Sequence, residues 1–286
     1  MKKAILAVSF GTTHADTRKL TIDKIEERIG EAFPGYEVRR AFTAYIIINV
    51  LKIRDGIYID TPEEALNKLV EEGYDEVIIQ PLHIIPGAEY EYVMKVVDSY
   101  KGSFKKLTCG RPILFFKGGE EELPDDYEIL VEAIETIIPK EGLTIFMGHG
   151  STHIGNACYS CLQLVLQDKG YKNAYIANVE GYPDLENVIV KIKEHEKIHR
   201  NVIREVTLIP LMLVAGDHAK NDMAGEEEDS FRSVLLKEGF KVNVHLHGLG
   251  EISGFQDIYN KHIEDVIESR YEGCGKTKKG ASPCLK

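Results

Sequence analysis

At 286 residues the chain is long enough for one large or two moderate domains with a proper core. Its 43% hydrophobic and 28% charged residues describe an ordinary globular protein and exclude a disordered or fibrous one. With 46 acidic residues against 35 basic, the formal net charge of -11 argues against nucleic acid or an anionic membrane surface as a partner.

In chain order, Met1-Lys2-Lys3 leads into an apolar run from Ala4 to Phe10 that breaks at Gly11, the pattern of a first strand and not of a signal peptide. Helical spacing follows over Thr17 to Phe33 and again over Thr61 to Glu72, where Thr61-Pro62-Glu63-Glu64 supplies a capping residue, a first-turn proline and a carboxylate. A strand is predicted at Glu76 to Leu82, and a Pro/Gly-rich acidic stretch from Lys117 to Asp126 reads as a junction. Beyond it come a helix over Asp125 to Ile138, a strand over Leu143 to Met147 and a helix over Ile154 to Lys169. The strands Ala174 to Val179, Val206 to Leu213 and Lys241 to Leu246 follow, with a helix over Leu185 to His195. Strands that are nearly continuous apolar runs, alternating with helices, predict an α/β protein with parallel sheets covered on both faces. Ligands of such sheets bind beyond the carboxyl ends of the strands, so the residues just after each strand carry the functional information. No apolar stretch reaches the ~18 residues of a membrane span. Five cysteines in a chain that needs no staples fit reduced thiols and a cytoplasmic location.

Three post-strand segments occur twice in the same order, at spacings of about 130 to 140 positions. Ser9-Phe10-Gly11-Thr12-Thr13-His14 matches Gly148-His149-Gly150-Ser151-Thr152-His153, and Thr43-Ala44-Tyr45 matches Glu180-Gly181-Tyr182. The third pair is Pro81 to Glu89 against Pro210 to His218. The chain therefore reads as two similar α/β halves, 1–125 and 126–268, facing one another across a cleft, with a tail of 269–286 outside the repeat and expected to be disordered.

The repeat makes its own differences informative. Phe10 is replaced by His149, Thr43 by Glu180 and Glu89 by His218. A single histidine after a strand is ordinarily a local hydrogen-bonder. Two imidazoles and a carboxylate at three corresponding loops, flanked by glycines, instead point to a site for a first-row divalent metal with an open coordination position. His14 and His153 are matched in identity and predict a structural role at a helix start, while His83, whose counterpart is Met212, predicts a packing position. Cys158 and Cys161 lack the second pair of a zinc site and read as small buried thiols.

Met147 to Ser151, Asn178 to Pro183 and the long run Leu211 to Met223, with its Gly-Asp-His-Ala-Lys-Asn-Asp-Met ending, resemble the anaerobic cobalt chelatases of the CbiK type. The N-terminal Ser9 to His14 and Gln80 to Tyr90 fit the same family, and the resemblance covers roughly residues 1–268. It implies a class II chelatase of two similar α/β domains that needs no ATP, nucleotide or organic cofactor and inserts Co²⁺, as substrate metal, into sirohydrochlorin during cobalamin synthesis. On that match His149, Glu180 and His218 handle the metal, His149 doubling as proton acceptor. The loops Ser9-Phe10-Gly11-Thr12 and Gly150-Ser151, with Glu89 on the opposite wall, would line the tetrapyrrole side. Their backbone N–H groups, with Lys52 and Arg54, are the means by which an acidic protein could hold an octa-carboxylate. Insertion of Fe²⁺ or Ni²⁺, a tetrapyrrole carrier without turnover, and a two-domain small-molecule binding protein are the alternatives, and a symmetric homo-oligomer is compatible with all of them.

Overall fold

The structure, a computed structural model, describes residues 1–118, 123–199 and 203–271, so most of the tail segment lies outside the described residues. The first half runs β1 (Lys3–Ser9), α1 (Ala15–Leu20), α2 (Ile22–Ala32), β2 (Glu37–Phe42), α3 (Tyr45–Val50), α4 (Pro62–Glu71), β3 (Glu76–Pro81), α5 (Ala88–Ser99) and β4 (Lys106–Cys109). There follow α6 (Asp126–Ile134), β5 (Leu143–Gly150), α7 (Ala157–Asp168), β6 (Ala174–Glu180), α8 (Leu185–His199), β7 (Glu205–Pro210), α9 (Phe231–Lys237), β8 (Lys241–Val244) and α10 (Ser253–Ile267). Among the described residues the named strands all pair in parallel, in two four-stranded sheets of the same order, β2-β1-β3-β4 and β6-β5-β7-β8. The chain is thus an α/β protein of two topologically matching halves.

The inner strands β1, β3 and β5 are buried along almost their whole length, which is why they are continuous apolar runs. The pattern reading missed two elements of the first sheet, β2 and β4. Both are edge strands: β2 carries Arg39 and Arg40 within Glu37-Val38-Arg39-Arg40-Ala41-Phe42, and β4 is only four residues long. Charge and brevity protect an exposed edge from mispairing and also erase the apolar signal. The helix predicted over Thr17 to Phe33 is in fact two, broken at Thr21 (φ -119°, ψ -84°), whose hydroxyl donates to the Thr17 carbonyl at 2.6 Å. The capping box at Thr61 forms as the sequence indicates.

The last helix, α10, packs on α2, β3 and α6, and the Tyr259 hydroxyl donates to the Leu82 carbonyl at 3.0 Å. One apolar cluster accordingly runs from Ile5, Ile78 and Leu82 through Leu130 and Ile134 to Phe146, Leu162 and Tyr259. Buried charges sit at this seam. Arg111 makes a two-pronged pair with Asp126 (3.0 and 3.0 Å) and reaches Asp265 on α10 at 2.8 Å, while the buried His262 Nδ1–H donates to the Arg111 carbonyl at 3.0 Å. Among the described residues, no helix is long and apolar enough to cross a membrane.

His83 packs with both ring nitrogens buried and unpartnered, and burial pushes its pKa down to about 4. It behaves as the packing residue that its counterpart Met212 implied.

Two stability measurements follow. Arg111→Ala leaves the buried Asp126 without its guanidinium and Asp265 with only Arg270, at 3.2 Å, and the urea midpoint at pH 7 is expected to report a loss of about 3–5 kcal/mol. His83 binds its proton more weakly when folded than when unfolded, so below its ordinary 6.5 the unfolded chain takes up the proton first and the folded state loses stability as pH falls toward 4. His83→Met is therefore expected to raise the midpoint more at pH 5 than at pH 8. An equal change at both values would contradict this account.

Candidate functional site

The first strand of each half leaves its sheet through the same turn. Gly11 (φ +94°) and Gly150 (φ +78°) both lie in the left-handed region. A β-carbon on Gly11 would drive into the Phe42 ring, and one on Gly150 into the carbonyl oxygen of Glu180, the residue opposite it on the neighbouring strand. The loop then closes on a hydroxyl in both halves. Thr12 Oγ1 accepts from the His14 N–H at 3.2 Å, and Ser151 Oγ from the His153 N–H at 3.0 Å.

These loops reach across to the opposite half. Lys220 Nζ donates to His14 Nδ1 at 3.2 Å and lies 3.6 Å from Asp16, so the first-half loop meets the segment that carries His218. In the reciprocal contact His153 Nδ1 accepts from the Gly155 N–H at 3.0 Å, which leaves the proton on Nε2 to be donated to Glu91 Oε1 at 3.0 Å. Both ring nitrogens of His153 are thereby used. The matched histidines are contacts between the halves, in keeping with the structural role expected of them.

His149 and His218 are differently placed. His149 follows the buried run of β5, and His218 enters the wide helical turn Ala219–Met223 beyond β7. Their rings stand edge to face with centroids 4.6 Å apart. Two imidazoles sharing a first-row ion at metal–nitrogen distances of about 2.1 Å, at angles between about 90° and 109°, would have centroids about 4.6 to 5.3 Å apart. His149 Nδ1–H donates to the Gly150 carbonyl at 3.0 Å, and His218 Nδ1 meets Asp222 Oδ2 at 2.6 Å. An acceptor on Nδ1 fixes the proton there and leaves the lone pair on Nε2, the ring atom suited to an ion or a proton.

Glu180 is the exposed last residue of β6, with its backbone against Gly150. Among the described residues, no group of three or more His, Cys, Asp or Glu side chains converges as a metal cage. The structure therefore brings together two of the three predicted metal residues and sets the third one strand away. Of the other predicted positions, Ser9, Gly11 and Thr12 are buried, Phe10 is 48% exposed, Gly150 is buried beside the partly exposed Ser151, and Glu89 lies partly exposed in the first turn of α5. Arg54 is paired with Asp55 at 2.7 Å and donates to the Thr13 carbonyl, and Lys52 lies over the Tyr58 ring at 5.4 Å. Asp222 and Lys220 were overlooked in the sequence. The i,i+4 spacing of His218 and Asp222 on a helical turn was the available signal for the first. Cys158 and Cys161 are free and partly buried, with burial raising both thiols.

Two parallel four-stranded sheets of the same strand order define the class: an α/β protein of two matching halves. The cobalt chelatase (CbiK) family model matches residues 3–268, and the chain belongs to that family. It is 37% identical over 275 residues to a sirohydrochlorin cobaltochelatase of Salmonella typhimurium, covering 95% of this chain and 99% of that one. It is 30% identical over 270 residues to sirohydrochlorin cobaltochelatase CbiKC of Nitratidesulfovibrio vulgaris, covering 94% and 92%. The fold is similar to that of SirB from Bacillus subtilis, solved with Fe³⁺, at a TM-score of 0.61 and 17% identity over 95% of this chain and 99% of that one.

Gly150 offers a direct check on this geometry. Gly150→Ala must both adopt a left-handed conformation and push Glu180 away, and is expected to cost at least about 2 kcal/mol of stability in urea unfolding. A variant as stable as the wild type would show that the turn is not constrained as described.

Proposed function

We propose that the protein is a sirohydrochlorin cobaltochelatase that inserts Co²⁺ into the tetrapyrrole in cobalamin biosynthesis, without ATP and without a nucleotide or organic cofactor. The observation that carries this reading is the edge-to-face pair His149 and His218, each with Nδ1 engaged within the chain. Insertion requires the ion to lose water, the ring nitrogens to become accessible and two pyrrole protons to leave. Two neutral imidazoles replace part of the hydration shell without closing the site, so the ion remains free to move on. With the ion on His218, His149 Nε2 accepts a pyrrole proton, and the exposed Glu180 beside it neutralises charge or takes the second. Asp222 supports the imidazolium or metal-bound form of His218 through Nδ1.

The tetrapyrrole is assigned to the loops of both halves, 1–125 and 126–268, with Ser9 to Thr12, Gly150-Ser151 and Glu89 along its edge. Phe10 on the first loop, and Tyr45, Ile46 and Ile53 after β2, present exposed apolar surface for the macrocycle. Arg54 is steered by Asp55 and the Thr13 carbonyl toward this loop, and backbone N–H groups of the two glycine turns complete the set of carboxylate donors. We assign the reaction to the cytoplasm, where the free thiols persist, with no part for nucleic acid or membrane and with a homo-oligomer compatible with this arrangement.

Anaerobic mixing of the protein with sirohydrochlorin and Co²⁺, Fe²⁺ or Ni²⁺ in turn, followed by absorbance, tests the assignment. Conversion well above the spontaneous rate with Co²⁺ is expected. A spectral change that stops at one equivalent of protein would instead identify a carrier. His149→Ala is expected to lower kcat by about 10²- to 10⁴-fold, and full turnover in that variant would move the base elsewhere.

A further inference from the structure

A second pair of histidines stands outside the site described above. Beyond β8, His245 and His247 flank Leu246 with ring centroids 5.0 Å apart and planes tilted by 48°. That separation falls within the window of about 4.6 to 5.3 Å in which two imidazoles can share one first-row ion.

The pair is held from behind. The His245 N–H donates to the Leu208 carbonyl at 2.9 Å, extending the β7–β8 ladder by one step. His247 Nδ1 meets Glu251 Oε2 at 2.8 Å, and the other oxygen of Glu251 accepts from the Gly248 N–H at 3.1 Å. Glu251 is therefore anchored to backbone and fixes the His247 tautomer, with the proton on Nδ1 and the lone pair on Nε2. A carboxylate behind a ligating imidazole is the arrangement that orients metal-bound histidines and raises their basicity. His247 is 59% exposed in its side chain, so the outward face is open to solvent.

The loop is also tied to the segment that carries His218. The Leu249 N–H donates to the Met212 carbonyl at 2.8 Å and the Gly250 N–H to the Leu213 carbonyl at 3.0 Å. In the first half the equivalent bonds run from Ile113 to His83 and from Leu114 to Ile84, and the chain between β4 and those residues is Gly110-Arg111-Pro112, without imidazole. The histidine pair is thus a property of the half that carries His149 and His218.

We propose that His245 and His247 form an accessory binding site for a first-row divalent cation, with water in the remaining coordination positions, that gathers the ion beside the segment leading to His218. Two imidazoles with open positions bind reversibly, as a way-station for a substrate ion requires.

The binding claim stands apart from the chelatase reading, whereas the delivery role rests on it, and the experiment separates them. Co²⁺ is titrated anaerobically by calorimetry into the full-length chain carrying His149→Ala and His218→Ala, without tetrapyrrole. One equivalent is expected to remain bound, at least tenfold more tightly than after His245→Ala and His247→Ala are added to the same background. Identical isotherms would overturn the site. Glu251→Gln, which keeps the backbone cap but loses the anionic partner of His247, is expected to weaken binding by about tenfold. An unchanged affinity there would remove the carboxylate from the argument. With His149 and His218 intact, His245→Ala/His247→Ala should raise the apparent KM for Co²⁺ severalfold at unchanged kcat. An unaltered KM would sink the delivery role. Absence of cobalt insertion by the wild type would count against the chelatase reading while leaving the isotherms to judge the site.

Discussion

A parallel sheet delivers the carboxyl ends of all its strands to one edge, and here both sheets must release their chains at that edge through turns that only glycine fits. At Gly11 and Gly150 the absent side chain lets the loop press against the neighbouring strand, on the Phe42 ring in one half and the Glu180 backbone in the other. Much of the site follows from that close approach. It sets where Thr12 and Ser151 catch the backbone of the next histidine, and it holds His149 at the strand end. The strand order imposes a companion constraint, since β7 lies beside β5 and brings the His218 segment next to the His149 loop.

Duplication then divides the labour. Positions kept in both halves hold the halves together: His14 meets Lys220, and His153 meets Glu91, in reciprocal contacts across the same edge. Positions that diverged are those to which the proposed chemistry is assigned. Phe10 is half exposed where the second half has an imidazole, so one loop offers an apolar surface and its twin a ligand. A flat, apolar and multiply anionic tetrapyrrole needs the first, and a divalent ion needs the second. In the proposed function this asymmetry reconciles a net charge of -11 with an octa-carboxylate substrate, because recognition is assigned to local donors and apolar surface and not to overall field.

What could be read from the sequence had a periodic or repeated signal. The buried inner strands, the capping box at Thr61 and the paired loops were legible because burial on both faces, a cap and a duplication each leave a pattern. The edge strands β2 and β4 were not, since an edge is defended by charge and shortness. The return of α10 to the first half was equally hidden, as its Arg111–Asp265 pair joins residues far apart in the chain. His149 and His218 meet edge to face because β7 lies beside β5. Glu180 came from the repeat, as the counterpart of Thr43, and it ends β6 with its backbone against Gly150.

The openness of the metal-handling pair has a physical logic of its own. A structural site closes four ligands around an ion and adds its binding energy to the stability of the fold, and an ion so held is not a substrate. Here the charges that stabilise the molecule, Arg111 with Asp126 and Asp265, are buried at the seam with their partners satisfied within the chain. The imidazoles at the strand ends satisfy only Nδ1 internally and hold Nε2 in reserve. Stability is supplied by one set of polar groups and, in the proposed function, transient ligation by another, so the second set can remain under-coordinated without unfolding the protein. A His–carboxylate pair such as His218–Asp222 makes that reserve tunable, because the strength of the Nδ1 hydrogen bond sets the basicity of Nε2 and with it the balance between capturing an ion and letting it go.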